Sequence, residues 1–265
     1  MKRNTDLLTY RGHLEILKKM VFRILIVIGI FSVVIFCLKD WTWKMLLAPS
    51  EWDFCTYQKI EDFVHFVGFY KFHFEPYTVD LIATDLSSQF MTHIMTALCL
   101  GLLFGSPYVI YELFRFVLPA LYENERKYSI WGLIIIYVLF VIGVLMSYYI
   151  LFPISFRFLG TYSVADKVHN TITLDSYVST FTTLTLMMGV VFQLPVVAFI
   201  LVRIRLINSK MLSQYRKHAL LIIMIVAAII TPPDIMTLIM VTVPLYILYE
   251  LSIRVAKWQE YKINN

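Results

Sequence analysis

The chain has 265 residues, of which 59% are hydrophobic and only 15% are charged. Apolar runs long enough to span a bilayer recur along it, which excludes a soluble domain. These runs are continuous rather than alternating, which excludes a β-barrel. The formal net charge is +5, but the basic residues lie beside the apolar runs, where they orient a membrane protein and do not indicate nucleic-acid binding. The composition predicts an all-α, polytopic membrane protein.

Six apolar segments are predicted to form transmembrane helices within one membrane domain, residues 1–265. The predicted spans are approximately residues 20–38, 90–110, 129–153, 177–202, 218–231 and 235–253. Residues 39–89 form a long loop, in which the segment around residues 60–70 is expected to be an amphipathic helix. The GxxxG motif at Gly101–Gly105 is too common to predict helix packing by itself. We expect the last two helices to be too short for an undistorted bilayer, so that they thin the membrane or form a re-entrant hairpin.

The charge pattern predicts the orientation of the spans. Lys and Arg are concentrated at the N-terminus, in the connector that contains Arg203 to Lys217, and at the C-terminus. Cytoplasmic segments collect basic residues, so both termini are predicted to be cytoplasmic and the acid-leaning loop 39–89 is predicted to lie outside.

Residues 105–128, GSPYVIYELFRFVLPALYENERKY, form an unusual connector between the second and third spans. Phe116 and Tyr122 are too apolar for an ordinary solvated loop, and Glu112, Glu123 and Glu125 are acids on a side of the membrane that normally collects Lys and Arg. Two interpretations follow. The segment is an interfacial turn that anchors two helices, or it is an acidic and aromatic docking surface for an arginine-bearing ligand.

Several polar residues lie in or beside the spans. Gln193 needs a partner, either as a contact between helices or in a wet cavity, and Pro195 should kink its helix. Asp234 is expected to cap the last helix. Glu250 is expected either to extend to the membrane surface or to pair with a cytoplasmic Lys or Arg. Arg23 is expected to extend to the lipid headgroups.

No enzyme motif is present in the sequence. There is no phosphate-binding GxxxxGK[ST], no HExxH and no GxSxG, and the cysteines and histidines show no metal-ligand spacing. We therefore predict neither an enzymatic activity nor a cofactor.

The motifs occur in the order found in one family. IATDLSSQF, SPYVIYELFRFVLPALYENER, GVVFQLPV, TPPDxxT and PLYILYE follow one another with the family's spacing. The chain resembles TatC, the six-span receptor subunit of the twin-arginine protein translocase. The resemblance implies a concave helix bundle in the bacterial cytoplasmic (inner) membrane, whose cytoplasmic face binds the twin-arginine signal peptides of folded precursors. It also implies single-span TatA- and TatB-type partners, other TatC copies, contact with membrane lipid, and transport driven by the proton-motive force.

The resemblance also assigns roles to residues. It places Glu125 and Phe116 at positions linked to signal-peptide recognition, in a connector shaped by Pro119, Leu121 and Tyr122. Two arginines are best bound by two carboxylates, so Glu125 would bind them together with Glu15 or Glu123. Loss of Glu112 is expected to affect cargo binding less.

Other family positions lie elsewhere in the chain. The family's N-terminal HLxELRxR reads HLEILKKM here, so Glu15 comes one residue early and Lys18 replaces an arginine. Pro49 matches a proline of the first outer loop, Gln193 a cavity position of the fourth span, and Asp234 the aspartate of TPPD.

Two alternatives to an export receptor remain at this point. The first is a small-solute transporter or channel, with the C-terminal helix pair as a re-entrant gate and Gln193 lining the pore. The second is a membrane scaffold without a transport role. The sequence shows no repeated halves of the kind common in transporters, and a scaffold does not explain the connector.

The predicted orientation is tested by cysteine labelling in a chain whose own cysteines are replaced. A Gln58→Cys variant should react with an impermeant reagent from outside, because the loop 39–89 is predicted to face outwards. A Lys210→Cys variant is the matched control and should react only from inside. Reaction of position 58 only from inside would contradict the topology.

Overall fold

The computed structural model describes residues 10–66, 76–77, 79–117, 129–163, 170–232 and 234–264. These residues are mainly helical and confirm the all-α class. The helices are α1 (Tyr10–Cys37), α2 (Lys39–Leu47), α3 (Cys55–Phe66), α4 (Ser88–Val117), α5 (Ser129–Met146), α6 (Phe152–Thr161), α7 (Leu174–Val191), α8 (Leu194–Arg203), α9 (Ser209–Gln214), α10 (Arg216–Ile230) and α11 (Ile235–Asn264). A 3-10 turn, Ala48–Ser50, follows α2, and a π-helical turn, Ser147–Leu151, joins α5 to α6. The parallel strands β1 (Leu81–Ile82) and β2 (Ile172–Thr173) pair over two residues each.

Five helical segments of the described chain are long and apolar enough to cross a membrane. They are Leu14–Cys37, Ser88–Phe116, Gly132–Thr161, Leu174–Arg203 and Ile235–Tyr261. The first four correspond to the first four predicted spans. The predicted fifth span is α10, which has 15 residues. At 1.5 Å per residue it is about 22 Å long, less than the roughly 30 Å of a bilayer's hydrocarbon core.

The final helix corrects a prediction. It was expected to be short, but α11 has 30 residues and contains the fifth apolar segment. The helix continues past the apolar run because Ile253, Ala256 and Gln259 are still buried, so its packed face extends towards the C-terminus. Asp234 caps its start as predicted, since one carboxylate oxygen accepts from the backbone N–H of Thr237 at 2.7 Å.

The chain divides into two compact units. Unit 1 contains the residues up to Cys37 together with Ala97–Tyr137, and unit 2 contains Leu38–Thr96 and the residues from Val138 onwards. In unit 1, α1 packs against the second half of α4. A Cβ atom at Gly101 would lie 2.1 Å from the Ser32 Oγ and 2.9 Å from its Cα. The motif that contains Gly101 is therefore used for close helix packing.

Unit 2 contains a second close approach, between α5 and α7. A Cβ at Gly143 would lie 2.6 Å from the carbonyl oxygen of Met188, and one at Gly189 would lie 2.7 Å from the ring of Phe140. These glycines let the two helices approach closely, Gly143 against the backbone of α7 and Gly189 against a side chain of α5. Their neighbours form the main apolar core of unit 2, which includes Met188 and is built largely from α7, α10 and α11.

The loop predicted to lie outside is folded within unit 2. The expected amphipathic helix is present as α3, and buried tyrosines tie the loop to neighbouring helices. The hydroxyl of Tyr177 donates to the carbonyl of Leu46 at 2.7 Å, and that of Tyr57 donates to the carbonyl of Pro153 at 2.8 Å. Burial raises the pKa of Tyr57, so its hydroxyl stays protonated and keeps donating over the physiological pH range.

The fourth span is broken, as Pro195 predicts. Helix α7 ends at Val191 and α8 begins at Leu194, with Pro195 in the first turn of α8. Proline has no N–H to continue the hydrogen-bond ladder, so the two helices meet at a turn formed by Phe192 and Gln193.

The close packing at Gly143 can be tested by adding one methyl group. Gly143→Ala should destabilise the protein by about 1–3 kcal/mol, because its Cβ would overlap a backbone carbonyl that cannot move without separating α5 from α7. The measurement is the melting temperature in detergent. Gly29→Ala is the matched control: no heavy atom lies within 4 Å of its added Cβ, so stability should be unchanged or slightly higher. Equal effects of both changes would contradict the proposed contact.

Candidate functional site

The described part of the acidic and aromatic connector is the C-terminal end of α4. The helix ends at Val117, and Phe116 in its last turn is 40% exposed. Residues 118–128 follow, so Pro119, Leu121, Tyr122 and Glu125, and also Glu123, lie outside the described residues. The structure therefore shows one stem of the connector and places one predicted site residue, Phe116, on it.

A buried acid lies one helical turn before Phe116. The side chain of Glu112 is 6% exposed, and its Oε1 accepts from Nη1 of Arg23 in α1 at 3.4 Å. The same oxygen accepts from the hydroxyl of Tyr108 at 3.0 Å. A buried carboxylate needs such partners because an unpaired charge in apolar surroundings is costly.

The other stem of the connector is the start of α5. The ring of Phe114 lies over Gly132, where an added Cβ would be 3.4 Å from the ring. The end of α4 thus contacts α1 through Glu112 and α5 through Phe114, two helices of the same unit. Between these contacts, Leu113 and Phe116 remain exposed. The two contacts hold the end of α4 in place, and the exposed side chains leave an apolar surface beside them.

The two predicted site residues of α1 are solvent-accessible. Glu15 and Lys18 are both exposed, and the carboxylate of Glu15 accepts from Nζ of Lys19 at 2.7 Å. A pair within one exposed helical turn is easily exchanged for another cation. The described contacts of Glu15 do not include Phe116, so the structure does not bring these two candidates into contact.

The three predicted site residues of unit 2 occupy structural positions. Pro49 is buried in the 3-10 turn, and its carbonyl accepts from the Tyr57 hydroxyl at 3.5 Å. Gln193 lies at the break before α8, and its Nε2 donates to the carbonyl of Gly189 at 3.5 Å. Asp234 is the cap of α11 described above.

Sequence reasoning missed the pair of Arg23 and Glu112. It assigned Arg23 to the headgroups and grouped Glu112 with the acids of the connector. The signal that was available is a pair of opposite charges, each inside or at the end of an apolar run and both on the same predicted side of the membrane. By contrast, the expected pairing of Glu250 with a Lys or Arg is confirmed, since Nε of Arg216 donates to its carboxylate at 2.7 Å.

The end of α4 combines exposed apolar side chains with the acidic sequence that follows it. Among the described residues, no group of three or more His, Cys, Asp or Glu side chains is placed to hold a metal ion. The exposed end of α4 offers aromatic and aliphatic surface, and the adjoining connector carries carboxylates in its sequence. Such a surface suits a ligand that is partly apolar and partly cationic.

Comparison with known proteins agrees with the motif order. Residues 12–244 match the family described as Sec-independent protein translocase protein (TatC). The TatC protein of Blattabacterium sp. subsp. Periplaneta americana is 32% identical over 260 residues, which cover 97% of each chain. The TatCy protein of Bacillus subtilis is 37% identical over 177 residues, 67% of this chain and 70% of that one.

A solved structure shows the same fold. The crystal structure of the twin-arginine translocase receptor TatC superposes with a TM-score of 0.75 at 27% identity, and the match covers 93% of this chain and 99% of that one. The family and the apolar helices indicate an integral membrane protein of the bacterial inner membrane. The chain belongs to the TatC family and is a component of the Sec-independent protein translocase.

Proposed function

We propose that this protein is the receptor subunit that binds twin-arginine signal peptides at the cytoplasmic face of the membrane. The observation that carries the proposal is the exposed Phe116 at the end of α4, joined directly to a connector whose sequence holds Glu123 and Glu125. The similarity to the crystal structure of the twin-arginine translocase receptor TatC supports it. The family assignment does not favour the small-solute transporter.

The proposed binding mode divides the signal peptide into two parts. Its arginines donate to carboxylates of the connector, with Glu125 as the main acceptor and Glu15 or Glu123 as the second. A guanidinium binds a carboxylate through two parallel hydrogen bonds, which favours arginine over lysine. The apolar part of the peptide packs on the exposed surface around Leu113 and Phe116. Lys18, near Glu15 on α1, is a further candidate contact of the peptide.

The remaining steps of export need partners. We propose that single-span TatA- and TatB-type subunits and further copies of this chain assemble around it in the membrane, with both termini in the cytoplasm. Gln193 at the break between α7 and α8 is a candidate contact for a partner helix. No nucleotide-binding motif is present on the chain, so the proton-motive force is the proposed source of energy.

The role of Glu125 is tested by precursor binding. Glu125→Ala should lower the affinity for a twin-arginine precursor about ten- to a hundredfold, because a charge-assisted hydrogen bond is worth roughly 1.5–3 kcal/mol when partly desolvated. Glu125→Gln should lose only part of this, and Glu125→Lys should bind still more weakly through repulsion.

The controls separate recognition from folding. Glu51→Ala removes an exposed carboxylate from the loop predicted to lie outside and should bind the precursor as the unmodified protein does. A twin-lysine precursor reports non-specific binding. If Glu125→Ala binds both precursors as the unmodified receptor does, the connector is only a membrane anchor.

Gln193 is tested by replacing its amide with an apolar group. Gln193→Leu should insert and fold normally but reduce transport roughly fivefold, because a polar contact between membrane helices is worth about 1 kcal/mol. Gln193→Glu keeps a polar group and is the matched control, with transport retained. Loss of folded Gln193→Leu protein in detergent would show instead that the amide holds the chain's own helices together.

A further inference from the structure

The buried pair of Glu112 and Arg23 has no assigned role in the function proposed above. Its carboxylate accepts from two groups, the Arg23 guanidinium at 3.4 Å and the Tyr108 hydroxyl at 3.0 Å. The Arg23 side chain is 51% exposed while that of Glu112 is 6% exposed. Loss of Arg23 would leave the buried Glu112 carboxylate without its charged partner, so the pair constrains the end of α4. The position of the pair, one helical turn before Phe116, links it to the proposed binding surface.

Glu112 and Phe116 lie on the same side of α4. Residues four apart in a helix are stacked one turn above the other, so the direction of Glu112 sets the direction of Phe116. Glu112 faces α1, where Arg23 holds it, and Phe116 emerges one turn further along as an exposed ring. Any rotation of this helix end that releases Glu112 also redirects Phe116 and the start of the connector.

The pair also controls how many carboxylates are available near the site. A free Glu112 would offer a second acceptor for an incoming arginine, one turn away from the apolar surface that the peptide needs. Arg23 already occupies this carboxylate. The acids of the connector then remain the acceptors for cargo.

We infer that Glu112 is a positioning residue of the signal-peptide site. Arg23 and Tyr108 hold its carboxylate, which fixes the orientation of Phe116 one turn further along α4. The arginines of the peptide then bind to Glu123 and Glu125 and not to Glu112. This inference rests on the function proposed above. It assigns Glu112 an indirect role, which agrees with the expectation that its loss affects cargo less than the loss of Glu125.

The test measures the affinity for a twin-arginine precursor and the ratio of its affinity to that of a twin-lysine precursor. Glu112→Gln and Arg23→Gln should each weaken twin-arginine binding roughly three- to tenfold. Arg23→Gln should in addition lower the discrimination ratio, because it leaves Glu112 as a competing acceptor. The exchanged double variant Glu112→Arg/Arg23→Glu should return both quantities towards their original values, which a loss of general stability would not do.

The matched control breaks another pair between two helices. Arg216→Gln removes the partner of Glu250 in unit 2 and should leave binding and discrimination unchanged. Arg23→Lys keeps the charge and should bind nearly as the unmodified receptor does. If Arg23→Gln fails to insert, Glu112→Gln alone tests the loss of the pair. Phe116→Ala and Glu125→Ala are measured in parallel to test the proposed function itself.

The outcomes distinguish the two claims. If Glu112→Gln and Arg23→Gln bind as the unmodified receptor does while Phe116→Ala and Glu125→Ala lose binding, the inference is wrong and the proposed function stands. A folded exchanged variant that recovers neither quantity also overturns the inference. If Phe116→Ala and Glu125→Ala bind normally, the proposed function fails.

Discussion

Close approach between helices is the constraint on which the fold of each unit depends. In a membrane, lipid is as apolar as the helices themselves, so helices associate through tight packing and a few polar contacts rather than through the hydrophobic effect. The protein meets this requirement with glycines that touch a backbone on the facing helix. Gly101 lies against Ser32 in unit 1, and Gly143 lies against Met188 in unit 2. A single methyl group at either position would separate two helices.

Polar groups then determine how the ends of these helices are held. Asp234 caps α11, Arg216 pairs with Glu250, and Arg23 pairs with Glu112. Each contact lies at or near the end of a helix, where backbone and side-chain groups need partners. At the end of α4 the contact has a second consequence, because the helix ends five residues after Glu112 and the rest of the connector follows there. The receptor function proposed above requires acceptors in a fixed position, and a helix end held on two sides provides a fixed base for them.

Much of the fold follows from simple patterns in the sequence. Apolar runs predicted the helices, Pro195 predicted the break in the fourth span, and the position of Asp234 before an apolar run predicted a helix cap. Contacts between distant segments could not be predicted in the same way, because the pairing of Arg23 with Glu112 depends on which helices are neighbours. Some local backbone conformations could not be predicted either. Arg205 adopts a left-handed φ of 58° after α8, a conformation for which a glycine would be expected. The length of α11 was missed because its buried face continues beyond its apolar run. Of the proposed site, the structure shows Phe116 exposed at the end of α4, while the roles of Phe116, Glu125 and its neighbours remain predictions.

The central claim is that the end of α4 and its connector form the surface that binds a signal peptide. The most direct test places a photoreactive phenylalanine analogue at position 116, which preserves an aromatic ring there. The account predicts cross-linking to a twin-arginine signal peptide that unlabelled twin-arginine peptide suppresses and twin-lysine peptide does not. Cross-linking that both peptides suppress equally, or no cross-linking from a folded and inserted protein, would contradict it.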